Sequence, residues 1–314
     1  MFGLNWLTLQ GVGSPARADL GAAIRVDGLT KQFGGVVAVE DLSMTVAPGE
    51  VFGFLGPNGA GKSTTIRLLL GLIRPTAGDA RVFGCAASDV RRSHRHIAYV
   101  PGDVALWPGL TGAEILELLD RVGSGVDAAY RDELIDRFDL EIDKPARTYS
   151  TGNRQKVALV AAFATRARLL VLDEPESGLD PLMKKEFRGC VAEARERGQT
   201  IFLSSHQLAE VEAVCDRVGI LRAGRLVEVD SIADLRRLRR TVVEVSYQGV
   251  RPSVERVEGV SSIVYLDCER LRFNMTGSPA AALRALAAAE ITAIAMREPT
   301  LEEIFLGYYG EAAR

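Results

Sequence analysis

The residues best suited to chemistry form one run, Gly56-Pro57-Asn58-Gly59-Ala60-Gly61-Lys62-Ser63, with Thr64 directly after it. The spacing is G-x-x-x-x-G-K-[ST], between an apolar strand over Val51–Leu55 and a helix expected from Lys62 to about Leu72. Glycines let successive backbone N–H groups turn inward as an anion nest, and the helix N-terminus adds partial positive charge. Lys62 would reach the β- and γ-phosphates of a nucleotide, and the Ser63 hydroxyl would ligate Mg2+. With 31 glycines in the chain, the chance of such a match somewhere is roughly one in a hundred. The bland alternative is a glycine-rich strand-to-helix turn, and the flanking elements argue against it.

A second constellation completes the chemistry. Leu169-Leu170-Val171-Leu172-Asp173-Glu174 is an apolar strand that ends in two acids. Asp173 would hold the Mg2+ shell, directly or through water, and Glu174 would polarise the attacking water. By itself the run reads as a buried strand with an acidic end. Paired with the phosphate loop, it reads as hydrolysis.

These two motifs name a broad fold and not a function. The discriminating segment is Tyr149-Ser150-Thr151-Gly152-Asn153-Arg154-Gln155-Lys156, about 20 residues before Asp173. It resembles the L-S-G-G-Q signature of ATP-binding cassette (ABC) proteins. Ser150 and Gly152 match, while Thr151 and Asn153 depart from the commonest form. Ser177-Gly178-Leu179-Asp180 resembles the family's D-loop, His206 its switch histidine, and Phe33 its adenine-stacking aromatic, commonly a tyrosine. Singly, Phe33 reads as a core aromatic, His206 as a hydrogen-bonder at a strand end, and Ser150 as a helix cap. Their order over residues 24–230 is that of the family.

The resemblance implies a nucleotide sandwich. Two cassettes would pack head to tail, so that ATP on the Lys62 loop of one is closed over by Ser150 and Gly152 of the other. Asp180 would line the shared site, and His206 would hold the γ-phosphate, Glu174 and the water in place. ATP touches both halves and favours closure, and hydrolysis removes those contacts. One departure stands out. Where the family usually has a Mg2+-ligating glutamine, Tyr99-Val100-Pro101-Gly102-Asp103 offers Gly102, so Asp103 or a water must substitute.

Several elements must position these residues. Ile24–Val51 reads as a small antiparallel sheet with turns at Gly34-Gly35 and Pro48-Gly49. Helical stripes follow between Pro101 and about Ala167, with Thr111 as a cap, then Leu134, Ile135 and Phe138, then Lys156–Phe163. Strands over Leu169–Leu172 and Thr200–Leu203 flank a helix of about Pro181–Arg197, which implies a parallel sheet. Past the basic run Arg236, Arg237, Arg239, Arg240, strands over Val242–Val245, Ile263–Leu266, Leu271–Phe273 and Ile291–Met296 are expected. So are helices over Pro279–Ala289 and from Thr300.

The fold implied is α/β: a P-loop NTPase ABC cassette with a RecA-like core, an antiparallel β subdomain and an α-helical signature subdomain. A small C-terminal α+β accessory domain follows. The division is a flexible tail over 1–22, a cassette over 23–235 with its helical subdomain at about 103–167, and the accessory domain over 241–314.

Composition narrows the function. The 314 residues carry a net charge of −3, 25% charged and 47% hydrophobic, an ordinary globular balance. That charge argues against a nucleic-acid partner. The cysteines Cys85, Cys190, Cys215 and Cys268 have neither zinc spacing nor a disulfide pattern, so packed thiols are expected. No run of 18 uncharged apolar residues occurs, and residues 1–22 lack signal-peptide character. The resemblance therefore implies an ATPase subunit working with a second copy of the cassette, using ATP and Mg2+. Its membrane contact would run through separately encoded transmembrane permease subunits, at the cytoplasmic face of a bacterial cell membrane. The terminal Pro299-Thr300-Leu301-Glu302-Glu303-Ile304-Phe305-Leu306 resembles the accessory domain of drug- and lipid-exporting subunits. Efflux of drugs, antibiotics or lipid-like compounds is the leading expectation. Rivals are an importer or polysaccharide/lipid exporter subunit, and a soluble ABC ATPase acting on DNA or ribosomes.

Overall fold

A computed structural model of the chain describes residues 21–297 apart from 123–124, 238–240, 277 and 288. The helix expected from Thr300, Arg239 and Arg240, and residues 1–20 of the expected tail lie outside the described residues.

The chain opens with β1 (Ile24–Phe33) and β2 (Val36–Val46), an antiparallel pair whose Ile24, Val26, Leu29, Val39, Leu42 and Val46 are buried. The all-buried β3 (Val51–Leu55) leads through the glycine loop into α1 (Lys62–Leu69), three residues shorter than its expected end at Leu72. Next come β4 (Ala77–Val82) and β5 (Cys85–Ala86), which extend the first sheet to the order β2-β1-β4-β5. The sequence reading missed both. β4 is poor in β-formers and exists through its pairing with β1. Gly78, at φ 79°, makes that approach possible, since a Cβ there would lie 2.2 Å from the Gly28 carbonyl.

After the short α2 (Val90–Ser93), β6 (Ile97–Val100) leads into the helical region: α3 (Gly112–Val122), α4 (Ala128–Arg137) and α5 (Thr151–Ala164). Thr111 caps α3 as expected, in a reciprocal capping box with Glu114. α5 starts five residues before the expected Lys156, because Ser150 Oγ accepts the Asn153 N–H at 3.1 Å. The core then alternates through β7 (Leu169–Asp173), α6 (Pro181–Glu196), β8 (Thr200–Ser205), α7 (Leu208–Val214), β9 (Arg217–Arg222) and β10 (Arg225–Ser231).

The second sheet has the order β10-β9-β3-β8-β7-β6, parallel throughout except for the antiparallel β10–β9 edge. β3, β7 and β8 are buried on both faces, as central parallel strands must be. The Phe52 and Phe202 rings stack at 5.9 Å, and Phe54 lies 5.4 Å from Phe202. Each fully buried aromatic contributes about 1.5–3 kcal/mol through removal from water. Because β3, β8, β7 and β6 run parallel, their carboxyl ends share one edge, where ligands of such sheets bind.

Beyond α8 (Ile232–Arg237), β11 (Thr241–Gln248), β12 (Val260–Tyr265), β13 (Arg270–Met275), α9 (Ala280–Leu286) and β14 (Glu290–Arg297) form a third unit. Its sheet order is β12-β13-β11-β14, every neighbour antiparallel. β13 and β14, joined over α9, therefore run parallel on either side of β11, a split β-α-β arrangement. Val243, Val245, Tyr247, Leu271, Phe273 and Leu286 form its own core. Of the four thiols expected to be packed, Cys190 and Cys215 are buried and Cys85 half-buried, whereas Cys268 is exposed in the β12–β13 turn.

Candidate functional site

The phosphate loop leaves β3 at Gly56, whose N–H donates to the Ser205 carbonyl at 3.3 Å. Gly61 closes it at φ 108°, and a Cβ there would sit 2.5 Å from the Ala38 carbonyl. Only glycine fits that position, and the fit brings β2 against the loop. Gly56 is buried while Pro57, Asn58 and Gly59 are exposed, and Ala60 packs inward. Ser63 and Thr64 are half-buried on the first turn of α1, which carries no acidic residue to oppose an anion. Lys62 is buried. Its Nζ donates to the Gly56 carbonyl at 2.6 Å and the Pro57 carbonyl at 3.4 Å, and lies 3.2 Å from Glu174 Oε1.

The acids sit at the end of β7, one strand over from β8. Asp173, 5% exposed, accepts the Ser204 hydroxyl at 2.5 Å through Oδ1. Burial, and then the Asp173 carboxylate, raise the pKa of the nearby Tyr99 hydroxyl. Glu174 has a left-handed backbone, φ 49°, a conformation that costs a non-glycine residue about 1–2 kcal/mol. Its N–H donates to both the carbonyl and the hydroxyl of Ser204, at 3.1 and 3.2 Å. The turn aims its carboxylate back over the loop, between Lys62 and His206. His206 Nδ1 lies 2.7 Å from Glu174 Oε2, and since a carboxylate only accepts, Nδ1 donates.

Gly102, after β6, lies beside these acids. A Cβ there would meet the Asp173 carbonyl at 3.4 Å and its Oδ2 at 3.5 Å, ordinary contact distances. The position is therefore adjacent to the Asp173 carboxylate, and glycine leaves that flank open. Phe33, 49% exposed, ends β1 beneath the Lys31 ammonium, 4.8 Å from the ring centroid. Val36 and Val37 are exposed beside it, and the Ala38–Gly61 contact holds this apolar tip next to the loop.

The other expected residues gather elsewhere. Ser150 caps α5 and is exposed, and Gly152 follows on its first turn. A Cβ on Gly152 would lie 2.5 Å from the Gly178 carbonyl, so the signature segment packs on the D-loop of its own chain. Asp180 caps α6 by accepting the Leu182 and Met183 N–H groups, both at 3.0 Å, with Pro181 at the first helical position. Lys62, Ser63, Asp173, Glu174 and His206 thus gather at one sheet edge, and the exposed Ser150 and Asp180, with the half-buried Gly152, lie apart from them.

Sequence reasoning missed Ser204, which holds both Asp173 and the Glu174 amide. It also missed an ionic cluster behind them, in which the buried Glu176 and Glu210 meet the half-buried Arg188 and Lys184. Burial alone would lower the Lys184 pKa, but the carboxylates of Glu210 and Glu176 outweigh it and hold the pKa above the usual lysine range. The basic residues of this cluster stand four apart on one helix, and that spacing was the available signal. Among the described residues no group of three His, Cys, Asp or Glu side chains forms a metal cage, and no helix is long and apolar enough to cross a membrane.

Known proteins resemble this chain in sequence and fold. The ABC transporter family model matches residues 39–177. The daunorubicin resistance ATP-binding protein DrrA3 of Streptomyces coeruleorubidus is 35% identical over 312 residues, 93% of this chain and 97% of that protein. The bacitracin transport ATP-binding protein BcrA of Bacillus licheniformis is 37% identical over 70% of this chain and 74% of its own length. A solved ATP-binding subunit of an ABC transporter superposes with a TM-score of 0.63 at 33% identity, over 69% of this chain and 92% of that one. A dimeric post-hydrolysis cassette bound to ADP and Pi shares the fold, with a TM-score of 0.60 at 23% identity over 67% of this chain and 98% of that one. With a phosphate loop, a paired acid strand and a signature helix in family order, the chain belongs to the ABC transporter family as one of its ATP-binding, ATP-hydrolysing subunits.

Proposed function

We propose that this chain drives efflux of drugs, antibiotics or lipid-like compounds through separately encoded permease subunits, from the cytoplasmic face of a bacterial membrane. The observation that carries this reading is the extent of similarity to the daunorubicin resistance protein. It covers 93% of the chain, and so runs past the cassette at 23–235 into the accessory region at 241–314.

The chemistry assigned to the site is ATP hydrolysis in a sandwich of two cassettes. The Gly56–Gly61 amides and the start of α1 hold the phosphates, with Lys62 leaving the Gly56 carbonyl to reach them. Phe33, half-exposed at the loop's edge, stacks the adenine. A donor set of one hydroxyl and one buried carboxylate, Ser63 and Asp173, suits a hard cation that keeps waters and phosphate ligands. Mg2+ held there would neutralise charge on the phosphates. Glu174 orients a water against the γ-phosphorus, with His206 fixing its carboxylate. The water oxygen bonds to phosphorus as its proton passes to the Glu174 carboxylate, the bond to the β–γ bridging oxygen breaks, and ADP and phosphate depart. Ser150, Gly152 and Asp180 of the second copy close the other side, and the exposure of Ser150 and Asp180 in a single chain suits that use.

Affinity capture from solubilised native membranes tests the reading. A polytopic permease should co-purify and stimulate hydrolysis. Capture of ribosomes or DNA-repair proteins instead, with no membrane protein, contradicts it.

A further inference from the structure

We propose that Glu176 is a positioning residue, fastening the turn that carries Glu174 to the surface that serves the second nucleotide. The inference rests on the assignment of Glu174 made above. Glu176 stands two residues after Glu174 and is 1% exposed. Its carboxylate takes a two-pronged contact from Arg188, Nε to Oε1 at 2.9 Å and Nη2 to Oε2 at 3.0 Å, and Lys184 Nζ lies 3.5 Å from Oε2. Lys184 also donates to Glu210 Oε1 at 2.9 Å, and Glu210 Oε2 accepts the Ser205 hydroxyl at 2.6 Å. Two acids and two bases thus balance, and they join the 174–177 turn, α6 and α7 to the residue before His206.

Three observations make this more than a structural ion cluster. First, Glu174 sits in left-handed backbone, and such a conformation persists only where its surroundings over-determine it. It is held in front by Ser204 and His206, and Glu176 anchors the same turn from behind. Second, the Leu179 N–H donates to the Glu176 carbonyl at 3.3 Å, and Gln155 of α5 donates to the Pro175 carbonyl at 3.1 Å. Displacing Glu176 therefore shifts Gly178 and the Gly152 segment packed on it, as well as Glu174. Third, the carboxylate is buried while Arg188 reaches it from the half-exposed side of α6, and an apolar residue can often fill such a buried position as well as a charge does. What charge adds here is fixed geometry: a planar guanidinium fork admits one orientation of the carboxylate.

The test measures steady-state ATP hydrolysis, nucleotide affinity and Tm for the full chain and its Glu174→Gln, Glu176→Gln and Glu176→Gln/Arg188→Gln variants. The double variant removes both charges together, so it leaves no buried charge unpaired. The expected result is ATP affinity within about twofold of wild type for both Glu176 variants, with kcat at least tenfold lower in each. Tm should fall for the single variant and recover in the double, while kcat stays low. Recovery of kcat together with Tm, or a kcat within twofold of wild type for Glu176→Gln, overturns the proposal. Glu174→Gln in the same series separates the premise: wild-type turnover there removes the Glu174 assignment itself. An inert Glu174→Gln beside a fully active double variant overturns the positioning role alone.

Discussion

Asp173 and Glu174 are neighbours in sequence with different surroundings. Asp173 ends a buried strand and meets Ser204 and Gly102, whereas the left-handed turn at Glu174 swings the next carboxylate toward Lys62 and His206. Two adjacent acids thereby acquire different partners and different proposed tasks. Gly102 gives the sharpest prediction at this scale. Its backbone is not left-handed and a Cβ would make ordinary contacts with Asp173, so Gly102→Gln should fold with an unchanged Tm. The added amide should tighten Mg2+-dependent ATP binding severalfold and leave binding in EDTA unaltered, measured by calorimetry with and without the metal. Equal affinities for both proteins in Mg2+ would show that the side chain at 102 does not face the cation. The glycine loop was legible in sequence because backbone crowding, such as that at Gly61 against Ala38, excludes side chains and so dictates residue type. Ser204 and Glu176 were not legible, because their partners lie 8 to 31 residues away and a lone serine or glutamate names none of them.

Among the elements, β3 does two jobs. It launches the phosphate loop and carries the centre of the parallel sheet between β8 and β9. Gly53 in its middle is set by packing. A Cβ would approach Val211 Cγ1 to 2.4 Å and Cys215 Sγ to 3.0 Å, so α7 lies directly on the bare backbone. Gly53→Ala should cost about 1–3 kcal/mol through overpacking. That lowers Tm by several degrees in thermal unfolding, and unchanged melting would mean that α7 is not packed as described. The parallel strands and their helices were readable because apolar runs alternate with 3.6-residue stripes. β4 was not, since Gly78 and Asp79 are poor strand residues and only pairing with β1 gives them their form. The start of α5 is less legible because its first residues, Thr151–Arg154, are polar, and Ser150 reads both as a helix cap and as a nucleotide contact. It caps the helix in this structure, and the two roles use the same exposed oxygen.

At the scale of the whole molecule, the proposed site residues divide between the sheet edge at Lys62 and Glu174 and the surface at Ser150 and Asp180. The segment 174–180 links them, with Glu174 on the first and Asp180 on the second. A chain with both surfaces and one cassette is suited to a head-to-tail pair, in which each nucleotide would touch both copies. The family model covers only residues 39–177, while the drug-resistance relative aligns across 93% of the chain, which is why the export reading rests on the whole length. Closure of two copies around ATP is tested by Glu174→Gln. With saturating Mg·ATP, size-exclusion chromatography with light scattering should show this variant shifting from one-chain to two-chain mass with ATP retained, and added ADP should not replace it. A one-chain mass for a variant that has bound ATP, or hydrolysis at the wild-type rate, would contradict the account.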